Sequence, residues 1–247
     1  MDIGILYIVA TPIGNLEDIT FRAVRALGEV DLIVCEDTRV TKRLLDHYGV
    51  ETQATSFYQN LKKGGAVKPV PKLEFLIEEL KGGKNLALVT DAGTPGISDP
   101  GNQLVAAAVE QQISVIPVPG VSAVTTLASV SGIDLTEFVF LGFPPHKKGR
   151  ETFFKRVVEF SLPVMFYESP HRVMKNLELL QKMEAGKQII LGRELTKMFE
   201  EIVRGTVLEV LEYFQENPSK VKGEFVIIVY PHTHYSHVIA EAEELKK

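Results

Sequence analysis

The stretch Val89–Gly101, VTDAGTPGISDPG, carries the carboxylates of Asp91 and Asp99 and the hydroxyls of Thr94 and Ser98 between glycines and prolines. A chain that only had to turn would need one Gly-Pro or Asn-Gly pair, not this much punctuation. The loop is either an elaborate strand-to-helix connection or a backbone shaped around something small. Other polar groups recur in short clusters: Glu36, Asp37 and Arg39 in CEDTR; Glu168, His171 and Arg172 in FYESPHR; Glu194 in GRELT. Carboxylates and imidazole can exchange a proton with a substrate. Guanidinium stays charged and is better suited to clamping phosphate or carboxylate. The chain carries neither GxGxxG nor GxxxxGK[ST], and IGNLED has one glycine where a dinucleotide fingerprint wants three. It has no GxSxG elbow, and its single cysteine, Cys35, has no evident histidine partner. His232, His234 and His237 crowd the tail without the spacing of a metal site, so no metal is expected.

The elements that must hold these groups alternate along the chain. ILYIVA (5–10), DLIVCE (31–36), NLALVT (85–90) and ISVIPV (113–118) read as buried strands. Between them lie helical patterns at 19–30, with Phe21, Val24 and Leu27 on one face and Asp18 or Thr20 as cap, and at 38–49, 72–83 and 101–112. Such a rhythm implies a mostly parallel sheet covered on both faces. PVPGVSA (117–123) breaks it like a hinge, and VSAVTTLASVSG starts a fresh helix. A second alternation follows: strands at 138–143, 163–168, 188–194 and 224–230, helices near 150–160, 170–183 and 207–215, and a hairpin-like FEEIVRGTV. The expected architecture is α/β, as two α/β lobes with a ligand cleft between them. Its divisions are an N-terminal lobe 1–118, a C-terminal lobe 119–232 and a short charged tail 233–247. Open parallel sheets bind ligands beyond the carboxyl ends of their strands. ATPIGNLEDIT, CEDTR, TDAGTPGISDPG and PVPGVSA all fall at such ends, and together they would line one rim.

With 247 residues, 45% hydrophobic and 24% charged, the composition is that of an ordinary globule with a real core. The text shows no membrane-length apolar run and no basic leader, so a cytoplasmic protein is expected. A net charge of −5 argues mildly against a nucleic-acid partner. Locally the balance reverses: Arg39, Lys42, Arg43, Lys62, Lys63, Lys68 and Lys72 face only Asp46 and Glu51. Lys147, Lys148, Arg150, Lys155 and Arg156 have only Glu151 among them. Both stretches are either solvated faces or basic lobes turned toward a polyanion.

In order along the chain, TPIGNLEDIT, CEDTR, VTDAGTPGISDPG, PVPGVSA, FLGFPPHKKG, FYESPHR, GRELTKMFEE and KGEF closely resemble the ribosomal small-subunit RNA methyltransferase I family, within the tetrapyrrole methylase superfamily. The likeness spans roughly residues 5 to 230. It implies an S-adenosylmethionine-dependent cytidine 2′-O-methyltransferase, working as a homodimer on small-subunit ribosomal RNA or on the assembled subunit. The implied cofactor site comprises Ile13, Asp91, Gly93, Thr94, Pro95, Ile97 and Ser98, then Ser122 and Ala123 at the start of a helix, and Phe166 and Tyr167 near the adenine. Glycine lets the main chain approach closely and proline fixes the loop beforehand. Glu36 and Asp37, ending a strand at the rim, are the leading candidates for the base, although Asp37 also suits a helix cap. Arg39, Lys147, Lys148, Arg150, His171 and Arg172 are the implied RNA contacts. The family's HEHN-type motif is replaced by Tyr58-Gln59-Asn60. Two other readings stand beside this one: a tetrapyrrole C-methyltransferase with the same cofactor, and a non-catalytic RNA-binding assembly factor.

Overall fold

The computed structural model describes residues 3–57, 71–98, 101–184 and 186–231. The chain forms two compact units, Met1–Ser122 and Ala123–Lys247. In the first, β1 (Ile5–Val9), α1 (Phe21–Glu29), β2 (Leu32–Cys35), α2 (Thr38–Tyr48), β3 (Ala54–Ser56), α3 (Pro71–Lys81), β4 (Leu86–Leu88), α4 (Asn102–Glu110) and β5 (Ser114–Val118) alternate. The strands make one parallel sheet in the order β3-β2-β4-β1-β5. Parallel strands covered on both sides read as unbroken apolar runs, because neither face meets water. One face packs Leu6, Val34, Leu86 and Leu88 against Leu76 and Leu80 of α3 and Leu104 of α4. The other packs Val9, Ile33 and Ala87 against Ala23 and Leu27 of α1 and Leu45 of α2.

Local chemistry sets the helix ends. The Ala23 N–H donates to Thr20 Oγ1 at 3.1 Å, starting α1, while Asp18 lies in the preceding 3₁₀ turn and does not cap it. Gly49, at φ 64°, closes α2 in the left-handed conformation that a side chain would strain. The expected buried face of α1 needs correction. Leu27 is 1% exposed but Phe21 is 98% exposed, and the buried residues are Ala23, Ala26 and Leu27. At about 100° per residue, six positions leave Phe21 roughly 120° around the helix from Leu27, so the two cannot share one face.

The second unit runs α5 (Ala123–Ser129), β6 (Val139–Phe140), α6 (Arg150–Glu159), β7 (Val164–Glu168), α7 (Val173–Met183), β8 (Gln188–Arg193), β9 (Glu201–Thr206), α8 (Val207–Glu216) and β10 (Phe225–Tyr230). Its sheet order is β6-β7-β10-β8-β9. Only β6 and β7 pair in parallel; β10 runs antiparallel to both β7 and β8, and β8 to β9. Alternation in sequence therefore does not make this sheet parallel: β9 turns back on β8 as its hairpin partner, and β10 runs against both of its neighbours. β10, FVIIVY, is buried at every position, as a central strand between two partners should be. Among the described residues no helix is long and apolar enough to cross a membrane.

Leu27→Ala should lower unfolding stability by about 2–5 kcal/mol, the usual cost of emptying a core site. Phe21→Ala on the same helix should change it by less than about 0.5 kcal/mol. Urea denaturation followed by circular dichroism reads both, and equal losses would show that α1 does not present the face described.

Candidate functional site

Because the first sheet is parallel, the loops after β1, β2, β4 and β5 leave from the same edge, and β4 stands between β1 and β2. The loop after β4 is therefore flanked on both sides, and it is laced to its neighbours. Thr11 and Gly93 exchange both main-chain hydrogen bonds at 2.9 Å. The Thr11 hydroxyl donates to the Thr90 carbonyl at 3.0 Å, and the Thr94 hydroxyl to the Val121 carbonyl at 3.2 Å. Gly93 takes φ 81°, and a Cβ there would lie 3.4 Å from Ile13 Cγ2. That position needs a glycine for its backbone angle, since a Cβ would meet Ile13 only in ordinary contact. Ile13 and Pro95 are buried, Thr94 is half-buried, and Asp91, Ile97 and Ser98 are exposed. Ser98 holds φ 67° without being glycine, an uncommon conformation of the kind kept where a loop is constrained by its task. Ser122 and Ala123 are half-buried, and α5, which Ala123 opens, has only seven residues.

The rim carboxylates are pushed in opposite directions. Asp37 caps α2, accepting the Arg39 N–H at 2.8 Å, and its other oxygen meets the Arg39 guanidinium at 2.6 Å. These bonds lower its pKa from an ordinary 3.8 to about 2, making it a feeble base. Asp91 accepts the Asp37 main-chain N–H at 3.1 Å. Partial loss of solvent nevertheless raises its carboxyl above the ordinary value, helped by the negative charge of Asp37. Glu36 is half-buried between Cys35 and Asp37, and Arg39 is exposed.

In the second unit the motifs also gather at one edge. Phe225 stands opposite both Glu168 and Arg193, so the end of β7, the end of β8 and the start of β10 coincide. The parallel neighbour β6 adds the loop beginning at Leu141. Glu168 is 1% exposed, and its carboxylate accepts the Ser169 N–H at 2.7 Å, an Asn176 amide N–H, and an ion pair with Arg172 Nε at 3.2 Å. A carboxylate so fully engaged is not a free base. Arg172 also donates to Ser169 Oγ at 3.0 Å and to the Pro144 carbonyl at 2.8 Å. Its side chain is 13% exposed, which corrects the expectation of an RNA contact. Phe166 needs a similar correction. It is 2% exposed and packs edge-on against Phe153 and Phe154, so its ring is spent on the core and offers no face to an adenine. Tyr167 is half-buried, whereas Lys147, Lys148 and His171 are exposed and Arg150 is half-buried.

Glu194 is likewise committed. Burial works to raise its carboxyl, but the Lys197 ammonium at 2.9 Å and the Glu224 N–H at 2.9 Å outweigh that and hold it low. A Cβ on Gly223 would sit 2.3 Å from the Glu194 carboxyl carbon, so KGEF and GRELT fit together only through that glycine. Sequence reasoning missed Thr11, Pro144 and Asn176; only their partners, distant along the chain, disclose them. Tyr58, Gln59 and Asn60, the lysines at 62, 63 and 68, Asp99 and the tail histidines lie outside the described residues. Among the described residues, no cluster of three or more His, Cys, Asp or Glu could hold a metal.

A parallel first sheet with ligand-sized loops on its carboxyl edge, followed by a mixed second sheet, defines a class, and comparison with known proteins specifies it. The chain belongs to the tetrapyrrole (corrin/porphyrin) methylases, whose family model matches residues 5–211. It is similar to proteins named Ribosomal RNA small subunit methyltransferase I. One from Halalkalibacterium halodurans is 43% identical over 229 residues, covering 92% of this chain and 76% of the relative. Another from Streptococcus pyogenes serotype M1 is 45% identical over 227 residues, with the same coverage. A third, from Leptospira biflexa, is 44% identical and is covered over 90% of its length. Among solved structures, the methyltransferase CobJ matches with a TM-score of 0.65 at 18% identity, over 93% of this chain and 95% of that one. Cobalt precorrin-4 methyltransferase, CbiF, matches at 0.63 and 15%, over 91% and 94%. At those identities the likeness shows the fold.

Asp37 gives a pH test. Its folded pKa is depressed, so the stability it contributes is complete above 3.8 and is lost as pH falls through about 2. Asp37→Asn keeps a cap acceptor but not the charge. It should be measurably less stable than the parent at neutral pH, with the gap closing toward pH 2 and shrinking in high salt. A gap independent of pH would show that the arginine link contributes nothing.

Proposed function

We propose that this chain is an S-adenosylmethionine-dependent methyltransferase that modifies small-subunit ribosomal RNA at the ribose 2′-oxygen of a cytidine. The observation that carries this reading is identity of 43–45% over 92% of the chain to enzymes named for that RNA. The family-model match, residues 5–211, includes the loops that the first sheet gathers on its edge. The residues there fit an amphipathic, positively charged cofactor. Asp91 presents an exposed carboxylate to oppose a cation, Ile97 an apolar surface 43% exposed, and Ser98 a hydroxyl. Gly93, at φ 81°, allows main-chain approach that any side chain would obstruct. S-adenosylmethionine, when bound, supplies a methyl group activated by its positively charged sulfur.

The chain's part is to align a ribose hydroxyl and to help its proton leave. Holding the reactants in line accounts for much of such an acceleration, and a base within reach adds to it. Of the two proposed carboxylates, Asp37 is tied to Arg39 and poorly suited, and Glu36, half-buried just after β2, is the one proposed as proton acceptor. Lys147, Lys148 and Arg150 are the proposed phosphate contacts, and Arg39 and His171 are proposed for the same role. An accessible 2′-hydroxyl fits a target in single-stranded or splayed RNA. The same reading has the enzyme acting in the cytoplasm as a homodimer; sedimentation equilibrium at the mass of one chain would remove the dimer from it.

Two experiments test the reading. Incubation with labelled S-adenosylmethionine and unmethylated small subunits, followed by mass spectrometry of the digested RNA, should yield one 2′-O-methylcytidine. Transfer to a precorrin but not to RNA would replace this reading with the tetrapyrrole one, and no uptake of the cofactor in calorimetry would remove both. In single-turnover assays Glu36→Gln should lose about 10²–10⁴-fold in rate with cofactor affinity nearly unchanged, while Asp37→Asn stays near the parent. The reverse order would reassign the base.

A further inference from the structure

Beyond the phosphate contacts, the second unit contains an aromatic face that the proposed reaction has not used. Phe143 follows β6 and is 52% exposed. It is not a loose side chain. Its ring sits 5.2 Å from that of Tyr167, which is itself braced edge-on by Phe140 at 5.1 Å. The main chain on either side is tied down as well. The Leu141 N–H donates to the Met165 carbonyl at 3.0 Å, and the Tyr167 N–H to the Gly142 carbonyl at 3.0 Å. On the far side, buried Pro144 gives its carbonyl to Arg172 at 2.8 Å. Arg172 in turn is held by Glu168, whose side chain is fully buried, and by Ser169. A few residues on, His146, Lys147 and Lys148 are exposed and Arg150 is half-buried, with Glu151 the acid among them.

We propose that Phe143 is a stacking platform for an unpaired base of the RNA substrate, and that the Arg172–Glu168 pair is the positioning latch that holds it beside the phosphate-binding lysines. The inference rests on the RNA-methyltransferase reading above. Single-stranded nucleic acid is gripped by this combination: a cationic track for the backbone and aromatic faces for the bases. The neighbouring positive charge of Lys147, Lys148 and Arg150 favours a polyanion such as RNA over a second copy of this chain packed through the same face, where like charges would meet. The parallel pairing of β6 and β7 makes the latch available, because the loops after both strands then leave from one edge. Arg172 acts through Phe143 and touches no substrate.

Filter binding of the full chain to unmethylated small ribosomal subunits, over a range of salt, tests this. Phe143→Ala and Phe143→Leu should weaken binding by about five- to 150-fold, with the salt slope unchanged, whereas Phe143→Tyr and Phe143→Trp keep most of the affinity. Lys147→Ala should instead reduce the slope by about 0.7, the value for one single-stranded phosphate contact. Arg172→Lys retains a charge for Glu168 but not the fork that reaches Ser169 and Pro144 together. It should raise KM for the subunits while leaving kcat at saturation and the Kd for S-adenosylmethionine unchanged, a split that general loss of structure would not produce. Full affinity in Phe143→Ala, or in Phe143→Leu alone, overturns the stacking role. So does a Phe143→Ala protein whose only defect is a lower sedimentation mass, since the ring would then cover a second copy. Failure of the unaltered chain to bind subunits overturns the RNA reading and this inference with it.

Discussion

Parallel pairing delivers the carboxyl end of every strand to one edge, and in this molecule that constraint governs the candidate site. The order β3-β2-β4-β1-β5 sets β4 between β1 and β2, so the loop after β4 has the CEDTR turn on one side and the ATPIGN turn on the other. Asp91 and Gly93 make their bonds outward to Asp37 and Thr11, respectively. A loop tied by a main-chain pair on one flank and by a side-chain carboxylate on the other has less freedom left to lose when a ligand arrives, which is the physical meaning of a preformed site.

The second unit reaches a comparable result by a different route. Its last strand enters between β7 and β8, antiparallel to both, and brings KGEF to the edge where FYESPHR and GRELT already end. The packing there is tight enough that Gly223 accepts no side chain against Glu194. Ion pairs with buried partners serve this edge as fasteners. Glu168 with Arg172 and Glu194 with Lys197 are local pairs, four and three positions apart. They reach distant segments through further bonds, Arg172 to the Pro144 carbonyl and Lys197 and Glu194 to Glu224. Removing Arg172 would strand the buried Glu168 charge away from water.

Charged residues within a motif thus divide into two kinds. Asp37, Glu168, Glu194 and Arg172 spend their charge on the protein itself, as caps and clasps. Lys147 and Lys148 leave theirs in solvent. Motif text does not distinguish the kinds, because it records the residue type and not what the residue faces. Phe166 and Phe143 show the same ambiguity among aromatics: one fills the core beside Phe153, and the other is exposed on a braced loop.

The sequence by itself determined the alternation of helices and strands, the stop at Gly49 and the position of the ligand-sized loops after β1, β2, β4 and β5. All of these rest on periodicity and capping, which act between residues a few positions apart. Near-complete wording of eight motifs also made the family legible before any coordinate. What only the tertiary structure decided was the direction of β8 to β10, the exposure of Phe21, the burial of Phe166 and the employment of Arg172. Each depends on a partner far along the chain, as Arg172 does on Pro144, 28 positions away, and Thr11 on Thr90, 79 positions away. Such pairs are chosen by how whole elements stack to exclude water, and no local rule of spacing contains that choice.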